Sequence, residues 1–332
     1  MTQKYLLVYL FSLFITAAAI AQVNDSTDLY YYKNLTPEQS LEVFGPIKGY
    51  KLNKIAGDKR EIKDITIKGN KITTILYNYG SICAPSVLAN VEDLVWNGLG
   101  YGFEFGLIVG AEVIDVNGDT LHIISDSHVR STEGDYSPDA SLKYGWLPRA
   151  GYSDPNQDKV ASLRAEDKDG DGKPDSWPEE WYSPGAGKYL WPAFLGDQAT
   201  APDEEVFYAI DDYTNYEFID RYQPFNNDFS KGGLGLESTV RILQFNNPMA
   251  EDIIFMVYQI TNASDKDLDK VYFGMFGDPH VGGASDYLDD RAFFIPPTGE
   301  LAAGYDQRAR SMVYAWDADF KGMGGKIPGF FG

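Results

Sequence analysis

Cysteine and histidine are scarce: Cys83 stands alone, with His122, His128 and His280, among 332 residues. An intramolecular disulfide and a thiolate zinc cluster are therefore excluded. Basic residues are also few, 28 Lys and Arg against 49 Asp and Glu, for a formal net charge of -21. With no basic face to displace counterions from phosphates, nucleic acid is excluded as a partner, and an anionic membrane surface is disfavoured. After residue 21 no stretch approaches the roughly 18 apolar residues of a membrane span. Catalytic signatures are missing too. There is no G-x-S-x-G elbow and no H-E-x-x-H; His122 and His128 merely flank Asp126, which leaves a metallohydrolase reading without its spacing. Phe105 occupies the third glycine position of a dinucleotide fingerprint that would start at Gly100, so Gly98, Gly100, Gly102 and Gly106 read as bends and close packing. No repeat of fixed period occurs.

What is present favours strands. Aromatic residues reach 14%, with 33 Gly and 17 Pro, a composition of strands and tight turns, and Cys83 reads as a small apolar residue. Residues 1–21 have the layout of a secretory signal: Lys4, an apolar stretch over 5–15, then Ala19-Ile20-Ala21 before Gln22. Export from a bacterium, to the envelope or the medium, is the expected address, with no membrane span once the signal is cleaved.

Residues 22–60 are polar, with one short helix expected over 36–44 behind a Thr36 cap and Pro37. Residues 61–125 predict two hairpins. One turns at Gly69-Asn70, and the other at Asn117-Gly118, which would supply two positive-φ residues between strands over 103–116 and 120–125. Residues 126–205 are irregular and too long for a plain loop, which makes them an insertion with its own ordering device or a linker. Strands resume over 206–210, 236–245, 252–261, 271–276 and 313–316, with a turn between antiparallel strands expected at 262–270. The predicted fold is mainly β: an antiparallel β-sandwich of residues 61–125 and 206–332, with 126–205 inserted and few short helices. The apolar ending at Phe330-Phe331-Gly332 reads as a strand just beginning, as in a fragment of a longer protein.

One motif carries specific chemistry. Asp167-Lys168-Asp169-Gly170-Asp171-Gly172-Lys173-Pro174-Asp175 places carboxylates at loop positions 1, 3, 5 and 9, glycine at 6, and the Lys173 carbonyl at 7. Such oxygen-rich alternation suits a hard cation such as Ca²⁺. Carboxylates about 4 Å apart repel by roughly 4 kcal/mol at an effective dielectric of about 20, so a converged set requires a cation. The loop resembles those of EF-hands and, more closely, of thrombospondin type 3 repeats. Pro178 stands where an EF-hand has its bidentate Glu, and Pro174 has no N–H to pair with a sister loop. Asp167, Asp169, Asp171, Lys173 and Asp175 are thus the expected ligands of a structural calcium ion, with affinity of about 10⁻⁴ to 10⁻³ M. Asp278, Asp286 and Asp290 form a second candidate set beside His280.

The export signal, with the stretches Trp96-Asn97-Gly98-Leu99-Gly100-Tyr101-Gly102-Phe103-Glu104-Phe105-Gly106 and Tyr258-Gln259-Ile260-Thr261-Asn262, resembles large uncharacterised secreted surface proteins of environmental bacteria. That resemblance implies no known activity. The expectation is a non-catalytic surface or adhesion module. The alternative is a carbohydrate-binding module or glycan-active enzyme, with Trp146, Trp177, Trp181 and Trp191 stacking on sugars. A glycan or a surface protein would be the partner.

Overall fold

The computed structural model describes residues 62–83, 94–127, 144–195, 200–283, 287–295 and 312–318. The expected signal segment, the helix over 36–44, His128, Asp286 and the apolar chain end lie outside the described residues. Within them the chain is mainly β. Helical structure there amounts to two three-residue 3₁₀ turns, Glu179–Trp181 and Tyr287–Asp289. No helix among the described residues is long and apolar enough to cross a membrane.

The first sheet contains β1 (Asp64–Ile67), β2 (Ile72–Tyr77), β3 (Leu94–Trp96), β4 (Leu99–Ile114), β5 (Thr120–Asp126) and β12 (Lys270–Pro279). Its spine is the 16-residue β4. One edge of β4 pairs with β12, from Lys270↔Glu112 to Asp278↔Glu104, with a register shift before Pro279↔Gly102. The other edge is shared by β3, a bridge from Ile82 to Phe105, and β5. The second sheet runs β11 (Ile254–Asn262), β10 (Leu236–Gln244), β9 (Glu204–Asp211) and β6 (Leu147–Pro148), all antiparallel. Two small hairpins complete the set: β7 (Tyr182–Ser183) with β8 (Lys188–Tyr189), and β13 (Arg291–Ile295) with β14 (Met312–Trp316).

Strand side chains alternate between faces. On β4, Leu107, Val109, Ala111 and Val113 are buried; on β9, Val206, Tyr208 and Ile210 are. Both sets belong to one apolar cluster, joined by Val240, Ile242, Tyr258 and Ile260 from β10 and β11. The two sheets therefore share a core. Each buried aliphatic side chain in it contributes about 1.5–3 kcal/mol relative to exposure.

Two local expectations need correction. Gly118 has φ of +85°, but Asn117 is not left-handed. Asp115 explains the difference: its Oδ1 accepts the N–H groups of Asn117 at 2.8 Å and Asp119 at 3.0 Å, which stabilises a wider turn. The left-handed Asn-Gly pair is Asn97-Gly98, at +50° and +81°, joining β3 to β4 through two residues. The stretch over 262–270 does not close a hairpin either. β11 pairs with β10 and β12 with β4, so this connection carries the chain from one sheet to the other. Turn-forming residues bend the chain without specifying which strand it will pair with.

Candidate functional site

The outer face of β9 supports the irregular segment. Phe207 and Ala209 point away from the shared core and pack with Tyr152, Ala161, Trp177 and Trp181, against which Trp191 also rests. Trp181 lies 5.1 Å from Trp191 and 6.1 Å from Phe207, centroid to centroid. The segment is also tied to β9 by backbone bonds: β6 pairs at one end, and Leu163 donates to the Glu205 carbonyl at 2.8 Å at the other. All eight residues of β9 are buried as a result. Aromatic packing is thus one ordering device of this segment. Trp146, Trp177 and Trp181 are buried, so their rings are not presented to a sugar.

The aspartate loop projects from this layer. Ser162 bridges to Val206, and 15 residues further along the chain Trp177 inserts into the aromatic cluster. Near the loop's ends, the Asp175 N–H donates to the Glu166 carbonyl at 2.7 Å. One carboxylate oxygen from each of Asp167, Asp169 and Asp175 lies within 4.8 Å of the others. Among the described residues this is the one group of three or more His, Cys, Asp or Glu side chains so placed. Gly170 and Gly172, at φ of +76° and +91°, turn the chain so that their N–H groups donate to Asp167 at 2.8 and 2.9 Å. A carboxylate has about four lone-pair sites, so these bonds orient Asp167 and leave acceptor capacity for a cation.

Asp171 departs from the expected set. Its Oδ1 accepts the Lys173 N–H at 2.7 Å, and it is not among the three grouped aspartates. Lys173 contributes a tether: its ammonium binds the Asp154 carboxylate and lies 2.7 Å from Glu179 Oε1. Burial alone would lower the Lys173 pKa; the hydrogen bonds to these two carboxylates reverse that and raise it above the ordinary value. Glu179 is held below its ordinary range by the Lys173 and Tyr189 hydrogen bonds. The donor set suits a hard cation: three carboxylates, exposed or half-buried, on a glycine-bent loop with a fixed base.

The other sequence candidates are placed elsewhere. Asp290 accepts the Val281 N–H at 2.8 Å, and Asp278 faces His280 at 3.9 Å. Neither belongs to a metal-sized group among the described residues. His122 is exposed and sits 3.5 Å from Glu112 across the β4–β5 ladder.

Sequence reasoning missed the buried acids at the ends of β9. Asp212 is fully buried; it accepts N–H bonds from Leu234 and Leu236, each at 2.7 Å, and the Ser125 hydroxyl at 2.8 Å. Burial pushes its pKa up to about 6, against the pull of those donors. Glu204 is pushed up to about 7 by burial, and Asp211 to about 8 despite Arg149. The one signal available was the paired Glu204-Glu205 and Asp211-Asp212 bracketing an apolar strand. Comparison of the chain with protein-family models, with curated proteins and with solved structures gives no match.

Proposed function

We propose that the chain is a secreted or cell-surface, non-catalytic β module, with its two sheets face to face, in which Ca²⁺ clips the irregular segment onto the second sheet. The carrying observation is the convergence of Asp167, Asp169 and Asp175 on a loop whose flanks are anchored to β9 and to the tryptophan cluster. A cation there offsets the mutual repulsion of three carboxylates and ties residues 166 to 177 into one unit. Lys173 cannot supply that neutralisation, because its ammonium is committed to Asp154 and Glu179. Trp146, Trp177 and Trp181 are buried, so the glycan alternative draws no support from those three rings.

Scanning calorimetry of the mature chain tests this reading. At calcium tenfold above its dissociation constant, binding adds about 1.4 kcal/mol, or about 3 °C in Tm for a chain of this size. Asp169→Ala and Asp175→Ala should melt at the calcium-free temperature whether or not calcium is present. Equal melting of the wild-type protein with calcium and with a chelator would remove the clip. Export is tested separately, by N-terminal sequencing of secreted protein, which should begin at Gln22.

A further inference from the structure

Residues 159–164 form a seam between the two sheets. Lys159 bridges in parallel to Asp64 of β1, and Val160 donates to the Asp64 carbonyl at 3.1 Å. Ser162 then bridges antiparallel to Val206, with Leu163 donating to the Glu205 carbonyl and Phe207 to that of Ala161. That register sets Arg164 opposite Glu204, the first residue of β9. Two residues further on, the Glu166 carbonyl closes the base of the aspartate loop, and the Trp177 indole reaches back to the Ser162 carbonyl. The loop therefore leaves directly from the stretch that Glu204 faces.

Glu204 is badly placed to carry a charge. It is 6% exposed, and its Oε1 has no hydrogen-bond partner among the described residues. The β1–β2 turn closes over it so tightly that a Cβ on Gly69 would lie 2.5 Å from the Glu204 Cβ. Gln244, its register partner on β10, is neutral, and its amide bonds to Gly69, Asn70 and Ile72. The cations that act on Glu204 are Arg164 and Lys68. Arg164 is 53% exposed and lies 3.4 Å from Asp203, so its charge is shared with a second acid and with water. Burial is the largest influence on the Glu204 carboxyl and pushes it up to about 7, against Arg164, Ser162 and Lys68. The group thus gains or loses its proton near neutral pH, and once ionised it holds a poorly compensated charge against the seam.

We propose that Glu204 is a proton latch for the calcium loop: neutral, it keeps the 159–164 seam closed, and ionised, it loosens the seam and weakens the ion's hold. The latch rests on the calcium reading and adds a regulation to that site. Only a closed seam fixes the loop base, so the apparent affinity follows the fraction of chains in which it is closed. Linkage makes the coupling reciprocal, so calcium binding should draw a proton onto Glu204. That sign is opposite to the ordinary release of protons when ligands take up a metal.

Isothermal titration of the full chain with calcium chloride tests the latch, at pH 6 and pH 8, for the wild type and Glu204→Gln. Wild-type affinity should fall about tenfold from pH 6 to pH 8, and that of Glu204→Gln should be the same at both. At pH 7, heats measured in PIPES and in imidazole should differ as proton uptake requires, and the difference should vanish in Glu204→Gln. Glutamine keeps the shape of the neutral acid, so this variant should melt like the wild type at pH 6 in chelator. Equal wild-type affinity at the two pH values, the same fall in Glu204→Gln, or proton release at pH 7 overturns the latch and leaves the calcium site standing. No binding heat at pH 6 removes the calcium site and the latch with it.

Discussion

The indole N–H of Trp177 donates to the Ser162 carbonyl at 2.7 Å, joining the outgoing end of the aspartate loop to the residues that pair with β9. Trp177→Ala should remove both that bond and the packing against Trp181 and Trp191, at 5.7 and 5.3 Å. A loss of about 3–5 kcal/mol is expected in urea unfolding, with weaker calcium binding besides. Trp177→Phe keeps most of the packing and should lose about 1–2 kcal/mol.

Arg241 and Glu205 form a buried pair on the same outer face. Arg241 Nη1 donates to Glu205 Oε1 at 2.6 Å, its guanidinium lies 3.7 Å over the Phe207 ring, and Trp191 donates to Glu205 Oε2 at 2.9 Å. Removing one partner strands a buried charge, so Arg241→Ala should cost about 3–5 kcal/mol. Arg241→Met combined with Glu205→Gln should recover most of that loss. A double-mutant cycle in denaturant measures the coupling.

Glu204 makes stability pH-dependent. Its carboxyl is pushed from an ordinary 4.5 to about 7 by burial, with Arg164, Ser162 and Lys68 opposing the shift. The folded state therefore holds this proton more tightly than the unfolded chain does. Its contribution is fully present below pH 4.5, falls as pH rises, and is gone above about 7. A shift of that size corresponds to about 3 kcal/mol. Glu204→Gln should raise Tm at pH 8 and flatten the decline between pH 5 and 7, measured in chelator so that calcium does not contribute. An unchanged slope would exclude Glu204 as its source.

Gly233 is a backbone constraint beside Asp212. Its φ is +64°, and a Cβ there would lie 2.6 Å from Asp212 Cγ as well as against the Asp212 carbonyl. Since Asp212 organises residues 234–236 and Ser125, nothing nearby can yield cheaply. Gly233→Ala should cost at least about 2 kcal/mol, seen as a lowered denaturation midpoint.

The parts of this fold legible in sequence were those written in local periodicity. A continuous apolar run along residues 206–210 and apolar alternation along 236–245 mark strands wherever they pair, and glycine-aspartate spacing marks a turning, oxygen-rich loop. Tertiary choices left no such trace. Nothing local distinguishes a hairpin after Asn262 from a crossing to the other sheet, and 144–195 has no period because its order comes from packing on β9. Tryptophans in an irregular segment look exposed until the face that buries them is known. Asp171 satisfied the spacing rule, yet its carboxylate lies outside the group that Asp167, Asp169 and Asp175 form. Glu204 and Asp212 were two acids among 49, distinguished only by where β9 came to lie.

Isothermal titration of the mature protein with calcium is the most direct measurement. One site per chain is expected, with a dissociation constant of about 10⁻⁴ to 10⁻³ M. Asp167→Asn and Asp175→Asn should abolish it, whereas Asp171→Asn should weaken it only slightly. No heat from the wild-type protein, or the same isotherm from all three variants, would contradict a calcium-held loop.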